Sequence, residues 1–327
     1  MKTLNLSTLA IAAILLFTIA CKKDRNAPVN SANNAQEFVQ TFGPQKQSIQ
    51  INASSLPQTV TLKGGSKITF PAGSLKIGGV AVTGNVTVEA LEVLKRSDVL
   101  FSGTNTNHIS GAPLASDGFI FVDVKANGVS VDRSLTVPIQ VAIPAKRAGV
   151  TQLWEGVNPQ GAALNEANNN QMAWAAPRAA NGVGGKEVLP EAGFYSFSFG
   201  TTGWINCDVF YSYTNPKTTL TVSLVNNPGA LASFRAFNGE TFVFFCAKGS
   251  NVAAQIYTPN GTNSVKSYDN MMPIGVEGKM LSFSIKDGKY YYAESEITIT
   301  ANMNVTLTLA ETTEAQVQTA ITALNTY

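Results

Sequence analysis

His108 is the only histidine among 327 residues, and that bounds the chemistry open to this chain. Zinc sites of the usual kinds draw on several histidines and cysteines, and a single histidine leaves them short of ligands unless every cysteine joins it. A Ser-His-Asp triad would have to be built on His108 itself. Two carboxyls facing each other across about 5–9 Å would suit glycoside hydrolysis, and Glu89 with Asp208, or Glu294 with Glu296, could be pictured so. Glu294 and Glu296 stand two apart in an alternating run, which places both on one solvated strand face. No Asp-x-Asp-x-Asp-Gly calcium loop, no phosphate-cradling Gly-Lys-Ser/Thr and no dinucleotide glycine pattern occurs. The expectation is a protein without enzymatic activity, metal or cofactor, with a hydrolase on envelope or external glycans and peptides as the alternative.

Aromatic side chains offer binding instead. Trp204, Asp208, Tyr211 and Tyr213 cluster near Gly203. A ring beside a polar side chain can stack on a sugar or anchor a partner. These four are the candidate binding residues, with burial of Trp204 between sheets as the alternative. In Tyr290-Tyr291-Tyr292, alternation forces at least one ring onto each face of a strand. Cys207 and Cys246 are a possible disulfide in an oxidising compartment. Both could equally be small buried hydrophobes, since Cys246 ends the apolar run Phe242-Val243-Phe244-Phe245.

The third cysteine, Cys21, follows a twelve-residue apolar run from Leu9 to Ala20, with Lys2 before it and the small Ala20 beside it. Charge, apolar stretch, small residue and cysteine in that order describe an export signal ending at a lipid-attachment site. A membrane span needs about 20 apolar residues; this run is shorter and meets Lys22, Lys23, Asp24 and Arg25 at once. Thr18-Ile19-Ala20-Cys21 resembles the lipobox of bacterial lipoproteins, which implies that Cys21 becomes the acylated first residue. Plain cleavage after Ala20 is the alternative. Burying one palmitate-sized chain of about 16 carbons at ~0.8 kcal/mol per methylene gives on the order of 13 kcal/mol, so two or three chains make release negligible. Lys22 rather than Asp at the second mature position resembles lipoproteins sent to an outer membrane, on its periplasmic or its surface face. The partners expected are therefore the membrane, through the lipid, and an envelope protein complex or glycan.

Removing residues 1–20 leaves 22 basic against 21 acidic side chains, with no basic block, so a nucleic-acid partner is not expected. Only 13% of residues are charged against about 25% in ordinary soluble domains, so the polar surface rests on Asn, Thr, Ser and Gln. Such residues must be held by strands. Val86, Val88 and Ala90 alternate with polar neighbours, as do Leu220, Val222 and Leu224, then Leu281, Phe283 and Ile285, then Val305, Leu307 and Leu309. Lys286-Asp287-Gly288-Lys289 is the clearest hairpin, because Asp-Gly accepts the positive φ of a type I′ turn. Asn127-Gly128, Asn238-Gly239 and Asn260-Gly261 punctuate other strands.

The pattern predicts an all-β protein: a signal peptide over 1–20, a flexible tether over 21–36, and a β-sandwich-like domain of antiparallel strands over 37–155. An irregular linker over 156–193 holds Trp174 as its one aromatic. A second β-sandwich-like domain follows over 194–310, then a helix over 311–327. That helix is capped by Thr313, with Glu314 in its first turn and Val317, Ile321 and Leu324 on one face.

Leu62-Lys63-Gly64-Gly65-Ser66-Lys67-Ile68-Thr69-Phe70-Pro71-Ala72-Gly73-Ser74-Leu75, followed by Val82-Thr83-Gly84-Asn85-Val86-Thr87-Val88, is similar to the start of the β-sandwich module of ankyrins and netrin receptors. Pro113-Leu114-Ala115-Ser116-Asp117-Gly118-Phe119 and Gln152-Leu153-Trp154-Glu155-Gly156 resemble the rest of that module in bacterial outer-membrane lipoproteins. There a second β-rich region follows, with a segment resembling Gly203-Trp204-Ile205-Asn206-Cys207-Asp208. The resemblance implies a fold and a cell-envelope setting; the role expected is that of a non-catalytic scaffold, accessory subunit or binding module. His108-Ile109-Ser110 also resembles the His-x-Ser/Thr signature at which some relatives of that module cut themselves. There the serine would attack the carbonyl of Ile109 while His108 takes its proton.

Overall fold

The computed structural model describes residues 31–158, 172–177, 186–232 and 239–327. Cys21, the leader over 1–20 and the tether up to residue 30 lie outside them, as does Asn238. The segment Ser31–Tyr327 forms one compact unit.

The fold is all-β. The alternating runs become strands, and the alternation decides which core each residue enters. In one sheet the strands Gln47–Asn52, Asn85–Val93, Leu114–Ala126, Gly203–Phe210, Thr151–Val157 and Ala173–Ala175 lie side by side in that order. A second sheet orders Pro190–Glu191, Phe194–Thr201, Ser134–Pro144, Lys67–Phe70 and Gln58–Thr61. Val88, Ile120, Val122, Ile205 and Cys207 from the first meet Ile68, Val141, Ile143 and Phe199 from the second.

The opposite face of the first sheet presents Phe119, Phe121, Trp154 and Trp204 to Phe242, Phe244, Leu281 and Phe283. Those belong to a third sheet, ordered Ala254–Gln255, Thr241–Ala247, Glu277–Lys286, Lys289–Thr298 and Ala310–Thr312. The reverse side of that sheet packs Val243, Phe245 and Met280 onto Val222, Leu224, Val305 and Leu307 of a fourth. Four β layers are thus stacked on three apolar cores. Among the described strands pairing is antiparallel except between Thr221–Val225 and Asn304–Thr308, which run parallel, and isolated parallel bridges join His108 to Trp174 and Leu231 to Thr241.

The boundaries differ from those expected. Phe194–Thr201 and Gly203–Phe210, assigned to the second domain, complete the sheets of the first by pairing with Ser134–Pro144 and Leu114–Ala126. The presumed linker 156–193 contributes Ala173–Ala175 and Glu187–Val188, both paired with Thr151–Val157. Trp174 there is fully buried. Three residues are too few to show a period, so that strand left no mark in the sequence. Residues 31–36 are no tether either. Asn34 caps helix α1 (Ala35–Phe42) by accepting the Glu37 N–H at 2.9 Å, and Ala32 and Ala35 are buried.

Helix α2 (Arg96–Phe101) and helix α3 (Glu314–Ala323) pack against α1's end of the middle core, so the C-terminal helix is not the sole one. In α3 the Thr313 cap and the burial of Val317, Ile321 and Leu324 follow the expectation. Asp287 and Gly288 take φ of 51° and 72° in the tight hairpin, and Asn127 and Gly128 take 49° and 81° in another. Tyr290 enters the middle core with Tyr292 beside it, while Tyr291 packs toward the outer one.

Candidate functional site

The segment from Asn105 to Pro113 crosses from the first sheet to the third, and side-chain amides hold it. Asn105 Nδ2 donates to the Met172 carbonyl and Trp174 Nε1 to the Asn105 carbonyl, both at 2.9 Å. Asn107 exchanges two bonds with the backbone of Gln255: it accepts that N–H at 2.8 Å and donates to its carbonyl at 3.1 Å. Buried amides satisfied in this way fix a loop as firmly as a strand would.

On that support His108 closes a tight turn. Its N–H donates to the Ala112 carbonyl and its own carbonyl accepts the Gly111 N–H at 2.7 Å. Gly111 adopts φ of +87°, and a Cβ there would meet the Tyr268 side chain at 2.4 Å, so only glycine fits. His108 Nδ1 lies 2.8 Å from Ser110 Oγ and accepts the Ser110 N–H at 3.2 Å. Burial lowers the imidazole pKa, which keeps the ring neutral. With Nδ1 accepting, the ring proton sits on Nε2 and the serine hydroxyl donates to Nδ1.

The imidazole is wedged between aromatic rings. Its centroid lies 5.2 Å from that of Trp154 and 4.9 Å from that of Phe210, both edge-on. Trp154 and Phe210 meet at 5.4 Å, and Phe210 continues to Tyr213 at 4.6 Å. Trp154 is buried and fixed by its Nε1–H donating to the Asp208 carbonyl at 2.9 Å. Tyr213 is 59% exposed, and Lys217 Nζ lies 5.1 Å above its ring. The ammonium is steadied by the carbonyls of Ser212, Tyr213 and Asn215. The row therefore runs from a rigid buried end to a surface ring backed by a cation.

The predicted binding residues divide. Tyr213 stands at the surface; Tyr211 is half-buried. Trp204 is 2% exposed and packs on Phe119 and Phe121, so it belongs to the core. Asp208 is fully buried, with Ser116, Asn206 and the Asp117 backbone the only groups near enough to hydrogen-bond its carboxylate among the described residues. Burial raises its pKa to about 7; nearby Ser116 and Asn206 lower it only in part, and Asp117 adds repulsion. Trp154 and Phe210 were missed as the inner members of the row. Phe210, two residues beyond Asp208, could have been assigned to the same strand face, but nothing in the sequence sets it beside His108.

The other candidates separate too. Glu89 is paired across its strand with Asp123, whereas Asp208 is paired with Ser116 seven residues away along the same strand. That spacing is about 20 Å, too far for a carboxyl pair. Glu89 is instead held by Lys125 at 2.9 Å and Lys46 at 3.2 Å. Glu294 and Glu296 are both exposed on one strand face. Cys207 and Cys246 are free thiols. One faces the first core and the other the middle core, with a β-sheet between them, so no bridge can form. Burial pushes the Cys246 thiol up to about 12 and the Cys207 thiol well above its usual range, so both are inert. Among the described residues no group of three or more His, Cys, Asp or Glu could hold a metal, and no helix is long and apolar enough to cross a membrane.

No protein-family model, no curated protein and no solved structure matches this chain.

Proposed function

We propose that this chain is a lipid-anchored protein of the bacterial outer membrane whose folded body is a non-catalytic binding module, a scaffold or accessory subunit that takes a glycan or an envelope protein. The observation that carries the reading is the aromatic row His108–Trp154–Phe210–Tyr213, rigid at its buried end and ending in an exposed, cation-backed ring. Exposed rings of this kind stack on sugars and anchor partners. The anchor rests on Cys21 and the residues before it. Replacing Tyr213 with Ala in the full chain should weaken capture of glycan or partner about tenfold while leaving the melting temperature unchanged, by analogy with a single well-placed interface ring. Cys21→Ser should move the protein from the membrane to the soluble fraction and abolish labelling by radioactive palmitate.

One contact favours a second reading, self-cleavage between Ile109 and Ser110: the 2.8 Å approach of Ser110 Oγ to His108 Nδ1. A nucleophile within reach of a neutral base is half of such a device. The rest is lacking. The one positive φ in the turn belongs to Gly111, where it is unstrained, and no carboxylate among the described residues bonds to His108. Denaturing electrophoresis of freshly made protein should give one band, with no fragment ending at Ile109.

A further inference from the structure

A basic pocket lies at the ends of α2 and α3, away from the aromatic row. It encloses about 310 Å³ and is lined by Lys95, Arg96, Lys146, Ser250, Asn251 and Asn325, with Tyr327 at its edge. That volume is at the lower end of small-molecule sites. Three lining side chains are cationic, and no Asp or Glu is among the lining residues. Among the described residues no carboxylate pairs with any of the three cations. The nearest acids are engaged elsewhere. Asp98 accepts the Lys95 N–H at 3.1 Å at the start of α2, and Asp117 is gripped by Arg147 through two bonds of 2.7 and 2.6 Å.

Arg96 makes the arrangement unusual. It is only 4% exposed, and one of its amino groups donates to the Ser250 carbonyl. Its Nε and Nη1 are buried without any acceptor. A desolvated guanidinium with two unmet donors and no Asp or Glu bonded to it is costly, and a group that removes the cost is an oxyanion. Lys95 and Lys146, both exposed, add charge at the mouth. The neutral remainder of the lining offers the Ser250 hydroxyl and the Asn251 Oδ1, groups suited to sugar hydroxyls, while the Asn325 amide is held by Ser97 and the Thr326 hydroxyl by the Ala323 carbonyl.

We propose that this pocket binds a small anionic sugar, held by a phosphate monoester or carboxylate group placed against Arg96, Lys95 and Lys146. The site is separate from the aromatic row, and either can fail without the other.

Isothermal titration of the full chain with glucose 6-phosphate, glucuronate, inorganic phosphate and uncharged glucose tests it. At least one of the two anionic sugars should bind, glucose should not, and the pair tells phosphate from carboxylate. Because Arg96 is buried and its loss could unfold the chain, the decisive variant is Lys95→Ala with Lys146→Ala at the rim. It should bind the anionic sugar at least tenfold more weakly with an unchanged circular-dichroism spectrum. Binding of neither anionic sugar, equal binding of glucose, or binding that survives the double variant would overturn the proposal.

Discussion

Asp208 shows how a single carboxyl can shape the stability of the whole chain. Its unfolded value is near 3.8 and its folded value about 7. Between those limits the native state keeps a proton that the unfolded chain has released, so stability is greatest in acid and falls as pH rises toward 7. Three pKa units at 1.36 kcal/mol each set a ceiling of about 4 kcal/mol. Asp208→Asn should therefore flatten the fall in urea midpoint between pH 5 and pH 8 and make the variant the more stable protein at pH 8. A variant curve parallel to the parent curve would remove this account. The same residue explains a failure of sequence reasoning. An acidic side chain beside two tyrosines looked like a surface site, yet Asp208 lies on a strand with a core against each face, and its carboxylate is fully buried.

At the scale of elements, what could be foreseen and what could not divide cleanly. Val86, Val88, Ala90, Leu281, Phe283 and Ile285 were visible because alternation is local, and they are buried as alternation requires. The Asp287-Gly288 turn was visible because two residues suffice to specify it. The pairing of His108 with Ser110 was visible for the same reason. Helix α1 was not. Its opening residues are Asn and Ala with little to bury, and the rings that hold Phe38 from outside its helix, Phe101, Phe283 and Tyr290, arrive much later in the chain. Likewise the meeting of His108 with Trp154 and Phe210 depends on strand order, which composition does not encode. Phe38→Ala should cost about 3–5 kcal/mol, as for other buried aromatics. Gly156→Ala should be destabilising by about 1–3 kcal/mol, since its Cβ would lie 2.4 Å from that of Trp204.

For the molecule as a whole, the middle core decides cooperativity. It draws Phe119, Trp154 and Trp204 from one pair of sheets and Phe244, Leu281 and Phe283 from the other, so neither pair is apolar-complete alone. Chains of about 300 residues commonly unfold in steps. Here the shared layer predicts one transition, with tryptophan fluorescence and far-ultraviolet circular dichroism coinciding on heating. Leu281→Ala, at about 2–5 kcal/mol, should lower that single midpoint rather than split it. Two separated transitions would show that the outer cores suffice by themselves.

The amino-terminal end of the described chain is stitched to the carboxy-terminal helix. Tyr290 Oη donates to the Ala32 carbonyl at 2.7 Å, and the Ala32 N–H donates to Glu314 Oε2 at 2.9 Å. With the proposed lipid at Cys21, a pull on the anchor would reach the body first through that stitch. Force would enter beside both ends of the fold at once, loading Tyr290 and α3 before a strand could be peeled from the sheets behind them.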